Sequence, residues 1–207
     1  MNKLDIPFIS SRGFECGQTC AAMTIKYFYP EFESNFDEFN KLIHHRIGNY
    51  TFPLQNAILI DHYGVETKCF SSENELTSGE DPMMFDRWFG DQLHDQMQYV
   101  DIESRDWMVT EGKKRGIFNM KITSFKDLLD YFRRGYIVTL AIDWNTLKQR
   151  NDNYRGHFVS ISGIDGDDIL IHDPDEGAYI SYLIDILSKA YNHPAISNDC
   201  IIGFKKK

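Results

Sequence analysis

The chain has 207 residues and a formal net charge of −9, with 22 Lys and Arg against 31 Asp and Glu; such an acidic balance repels phosphate backbones and sets nucleic acid aside as a partner. Hydrophobic residues make up 42% and charged residues 26%, which suits one globular domain, 1–207, able to bury about 70% of its unfolded surface without staples. No apolar run reaches the roughly 18 residues a membrane span needs, no signal-peptide pattern opens the chain, and four scattered cysteines form no disulfide scaffold, so a cytoplasmic protein with free thiols is expected.

Residues 1–14 read as an extended arm with Ile6, Phe8 and Ile9 apolar. Residues 16–29 read as a helix, because Cys16, Cys20, Met23 and Tyr27 recur at helical spacing and Pro30 stops the run. Further helices are expected at 36–45 and 54–63, the second ended by Gly64, and a short strand at 65–70. Residues 71–117 open with a polar stretch and continue as helix-compatible sequence containing Trp88 and Phe89. They read as a helical insertion beside the rest, because the flanking elements continue past them. A helix over 123–134 has Ser124 as its cap and Phe125, Leu128, Leu129 and Phe132 facing inward.

The final third turns to strands, at 136–142, 157–164, 169–173, 178–183 and 201–204, with an Asp165-Gly166 turn signal between the second and third. Helices first and an antiparallel sheet afterwards is an α+β order.

Three places carry chemistry. Cys16 stands where the first helix begins, and the unpaired N–H groups and dipole of a helix start favour an anion such as a thiolate. Gly17 removes bulk beside it and would let a substrate backbone approach. Cys20 is the rival nucleophile, one turn deeper among apolar neighbours, where burial favours the protonated thiol. His157 opens an apolar strand, where an imidazole can face a cleft and activate a thiol. Asp173 ends the strand expected to pair with it and can orient that imidazole. The register decides whether it does: a strict two-residue turn at Asp165-Gly166 leaves Asp173 on the wrong face unless a bulge intervenes. Cys16 and Cys20 with His172 lack the second paired motif of a zinc site, and Asp165, Asp167 and Asp168 span too short a loop for calcium. No metal and no cofactor is expected.

Cysteine near the N-terminus, histidine far downstream and a carboxylate shortly after is the order found in papain-like enzymes. The segments ECGQTCAAM, GHFVSISGI and ILIHDPDEG resemble the C39-like peptidases of the papain-like superfamily, over residues 5–70 and 123–185. The resemblance implies a papain-like α+β fold, with an N-terminal helical half packed on a C-terminal antiparallel sheet. It also implies Cys16 as nucleophile, His157 as base and Asp173 as the orienting carboxylate. The family's glutamine upstream of the cysteine, whose amide helps to hold the oxyanion, is absent here; Ser10, Ser11 or Gln18 could donate in its place. The implied activity is amide or peptide-bond hydrolysis through a thioester, on a peptide or protein substrate. The same triad serves deamidases, transglutaminases and acyltransferases, and a peptide-binding module without turnover is the alternative from a different class.

Overall fold

The computed structural model describes residues 2–71, 89–121, 123–194, 196 and 200–206. The N-terminal half runs β1 (Asn2–Lys3), α1 (Cys16–Phe28), α2 (Phe36–Leu42), α3 (Pro53–His62), β2 (Val65–Ser71), α4 (Leu93–Met97), α5 (Ile102–Arg115) and β3 (Phe118–Met120). The C-terminal half runs α6 (Phe125–Arg133), β4 (Ile137–Asp143), α7 (Trp144–Leu147), β5 (Gly156–Asp165), β6 (Asp168–Asp173), β7 (Gly177–Leu183), α8 (Ile184–Tyr191) and β8 (Cys200–Lys206). The expected helices and strands are therefore present within a few residues. The helix expected at 36–45 stops at Leu42, and His44 follows with a left-handed backbone, φ 54°.

The strands form one sheet in the order β3-β2-β8-β4-β5-β6-β7, with β1 added on β5. All its pairings are antiparallel except β2 with β3. Two parallel neighbours cannot be joined by a tight turn and need a crossover of a dozen or more residues. The stretch read as an insertion, 71–117, is that crossover. Its last helix, α5, belongs to the main core: Met108 and Val109 pack with Leu54, Ile58 and Val65. Gly112 permits this approach, since a Cβ there would come within 2.8–3.1 Å of the Leu54 side chain. Trp88 lies outside the described residues.

Apolar side chains cover both faces of the sheet. Ala21, Ile25, Phe39 and Leu59 from α1–α3 pack with β2 and β8, and Cys20 and Met23 of α1 rest on Ile137 and Phe158. On the other side Leu128 and Phe132 of α6 and Leu187 and Tyr191 of α8 pack against Val138, Leu140, Val159 and Ile171. α1 is buried from Gly17 to Ile25. Its two buried threonines bond back into their own helix, Thr19 Oγ1 to Glu15 O at 2.8 Å and Thr24 Oγ1 to Cys20 O at 3.0 Å, so a nearly fully buried helix carries no orphaned hydroxyl.

Candidate active site

Cys16 is the first residue of α1 and is partly exposed, whereas Cys20, Cys69 and Cys200 are buried. The residue before it, Glu15, does not cap the helix with its side chain. Its carboxylate is instead taken by Asn40 Nδ2 at 2.9 Å and by Arg12 at 3.2 Å, so the first-turn N–H groups beside Cys16 are left without that cap. Cys20, one turn on, is completely buried, and burial pushes its thiol well up against a partly compensating bond with Ser160. The two sulfurs thus sit in the unlike environments that the helix position implied.

His157 is the second residue of β5 and is 6% exposed. Its Nε2 donates to Asp173 Oδ1 over 2.8 Å, and the imidazole lines the same cleft as Cys16. Burial alone would push the imidazole down. Asp173 and Cys16 overcome it and raise His157 to about 10. Burial likewise pushes Asp173 up, and the His157 imidazole together with the backbone N–H of Asp175 reverses this and holds it below the ordinary carboxylate range. The structure thus brings Cys16, His157 and Asp173 together.

The turn between β5 and β6 is the two-residue one, with Asp165 paired to Asp168. A register shift between Ile161 and Gly163 leaves Ser162 unmatched, the bulge on which Asp173's placement depended.

The four residues expected around the oxyanion or substrate fare differently. Ser11 lines the cleft, but its hydroxyl bonds Gly13 O at 2.9 Å and accepts from Gly13 N at 3.1 Å. Ser10 points its hydroxyl at Pro174 O, 3.5 Å away. Gln18 does not reach back. Its side chain is fully buried, with Nε2 3.0 Å from both Asn40 Oδ1 and His45 Nδ1, and its Oε1 accepts from Thr51. Gly17 faces the interior, where a Cβ would lie 2.3 Å from Asn56 Nδ2 and 3.2 Å from the Phe158 ring, so its smallness serves helix packing.

Sequence reading missed Asp175, whose carboxylate lies 4.0 Å from His157 Nδ1; its place two residues after Asp173 was the available signal. It also missed the buried network of Glu15, Gln18, Asn40 and His45 beneath α1, which joins residues far apart in the chain and leaves no local pattern.

Cys16 and His157 open into a cleft of about 1310 Å³ whose walls include Tyr50, Phe89, Tyr99 and Tyr154. Among the described residues, no cluster of three or more His, Cys, Asp or Glu could hold a metal ion, and no helix is long and apolar enough to cross a membrane.

Helices packed on a mostly antiparallel sheet make an α+β fold of the kind found in C39 peptidase structures. The chain belongs to the Peptidase_C39 like family, whose profile matches residues 3–194. Its fold is similar to that of a C39-like peptidase from Bacillus anthracis, at TM-score 0.56 and 12% identity over 98% of this chain and 96% of that one. It is also similar to the peptidase domain of Streptococcus ComA, a bi-functional ABC transporter of a quorum-sensing pathway, at TM-score 0.50 and 12% identity over 98% of each chain. A double-glycine-motif protease of an AMS/PCAT transporter, solved with its leader peptide, matches at TM-score 0.51 and 15% identity over 98% of this chain and 94% of that one. No curated protein matches the chain.

Proposed function

We propose that this chain is a cysteine peptidase in which Cys16 attacks, His157 moves the proton and Asp173 orients His157. The observation that carries the reading is one imidazole held 2.8 Å from the Asp173 carboxylate and lining the same cleft as Cys16, the first residue of α1. Family membership supports the same activity, and the neighbour solved with its leader peptide supports a peptide as substrate.

In the first half-reaction Cys16 sulfur bonds the substrate carbonyl carbon, its proton having passed to His157. The carbonyl π pair moves to oxygen, where the N–H groups at the start of α1 can receive the charge. Collapse breaks the C–N bond, and the His157 imidazolium gives its proton to the departing amine. In the second half-reaction His157 takes a proton from water, the resulting hydroxide attacks the thioester, and the acid leaves as Cys16 recovers its proton. Asp173 keeps the Nε2–H directed away from the thiol throughout, so the other ring nitrogen stays with the chemistry.

One observation favours a second reading, a peptide-binding domain with little turnover. The side-chain donors expected in place of the missing glutamine are engaged elsewhere, Gln18 in its buried network and the Ser11 hydroxyl with Gly13. Losing one oxyanion donor costs about 100- to 1000-fold in rate. Alkylation of Cys16 by iodoacetamide at neutral pH, compared with His157→Ala, tests the thiol–imidazole unit. Cleavage of a peptide library followed by mass spectrometry separates the peptidase from the binder. Slow alkylation indifferent to His157 would remove the peptidase reading.

A further inference from the structure

The cleft beside Cys16 has an aromatic wall. The rings of Tyr50 and Phe89 lie 28° from parallel with centroids 6.5 Å apart, Tyr99 meets Tyr50 edge-on at 5.7 Å, and Tyr154 stands 6.0 Å from Phe89. Two polar groups on the cleft are already engaged. Tyr50 gives its hydroxyl to Gln96, and its burial pushes the hydroxyl up to about 12, so the ring stays neutral. Arg155, which also lines the cleft, lays its guanidinium over Trp144 at 4.6 Å.

At the mouth Tyr99 is 39% exposed and Phe14 75% exposed. Exposed aromatic surface contiguous with a reactive group is surface that a ligand would cover. A glycine beside the scissile bond would leave this wall wet, whereas a large apolar side chain would dry it. Asp152 and Asp175 on the same cleft disfavour an acidic side chain there.

We propose that this cleft takes a peptide carrying a bulky apolar or aromatic side chain next to the scissile bond, and that Tyr99 sets this preference on a wall that the buried Phe89 supports. The position of the scissile bond rests on reading Cys16 as the nucleophile; the pocket itself does not. Tyr99 and Phe89 both come from the crossover between β2 and β3, so the segment that joins the parallel strands also furnishes part of the substrate wall.

Binding separates the two ideas. The full chain carrying Cys16→Ala is titrated with fluorescent hexapeptides, acetylated and amidated, in which one position is Phe or Gly and that position is moved along the peptide. At one position the Phe peptide should bind about tenfold or more tightly than its Gly twin. Adding Tyr99→Ala should erase the difference and Tyr99→Phe should keep it; Tyr99 is exposed enough that both variants should fold, which a thermal melt checks. Equal affinity for the Phe and Gly peptides at every position, or a preference untouched by Tyr99→Ala, overturns the proposal. Alkylation of wild-type Cys16 that ignores His157 would count against the peptidase reading alone, with the binding preference still deciding the pocket.

Discussion

His157 Nε2 and Asp173 Oδ1 stand 2.8 Å apart although the ladder does not set the two residues opposite each other. Ser160 pairs with His172, so continuing that register puts Asp173 level with Val159, two residues from His157 and on the same face. Beyond the bulge the register is one residue different, with Gly163 opposite Leu170. Carried through unchanged, it would set Asp173 level with Ser160 and turn its carboxylate to the other face. Ser162 therefore decides whether the imidazole has a carboxylate. Its backbone carbonyl also receives Leu4 N at 3.0 Å from the N-terminal arm. Deleting Ser162 should leave Cys16 in place but slow its alkylation to the rate of Asp173→Ala, as followed by intact-mass spectrometry.

The two cysteines of α1 should part company under an electrophile. Cys16→Ala should abolish covalent labelling near neutral pH. Cys20→Ala should leave labelling intact and lower stability by about 1–2 kcal/mol, the cost of a small buried cavity. Labelling that survives Cys16→Ala and disappears in Cys20→Ala would mean the wrong sulfur was chosen.

His157 should make the fold sensitive to alkali. Its folded value, about 10, exceeds the ordinary 6.5, so the native state holds a proton that the unfolded chain has released between those values. The stabilisation is complete below pH 6.5 and is lost as pH rises through about 10, at up to about 1.4 kcal/mol per pH unit. Asp173→Asn removes a main support of the raised value. Chemical denaturation between pH 7 and 10 should show a shallower decline in that variant than in wild type, whatever its absolute stability. Parallel declines would place the proton elsewhere.

Acid should act through other groups. Burial pushes His172 and His45 below the ordinary histidine value, so both are neutral in the fold while the unfolded chain protonates. Stability should fall as pH drops from 6.5 towards their lowered values. Asp173, held low, should add a further loss only below about 4. His172 joins the N-terminal arm to the sheet, with Nε2 donating to Ile6 O and Nδ1 accepting from Tyr179 N. His172→Gln should flatten the slope between pH 6.5 and 5, and hydrogen exchange should show the arm opening first in wild type.

Gly17 and Met108 test the packing around the site. Gly17→Ala drives a methyl into the Asn56 amide and towards Phe158, and overpacking of this kind costs about 1–3 kcal/mol. Met108→Ala should cost about 2–5 kcal/mol, because Met108 is fully buried in the core shared by α1, α3 and β2. A Met108 variant as stable as wild type would detach α5 from that core.

Much of this protein could be read along the chain. Cys16 at a helix start, His157 at a strand start and Asp173 at a strand end are local facts, since apolar spacing and turn residues mark where elements begin and stop. The unlike surroundings of Cys16 and Cys20 follow equally from their depth along one helix. Tertiary structure alone decided three things. The crossover role of 71–117 depends on β3 lying parallel beside β2, a pairing between residues some fifty apart in sequence. Gln18 looked free to reach back because its partners Asn40, His45 and Thr51 come from other elements. The facing of Asp173 depends on one unmatched residue, Ser162, because side chains in a strand alternate with a period of two, and a single added residue reverses every side chain beyond it.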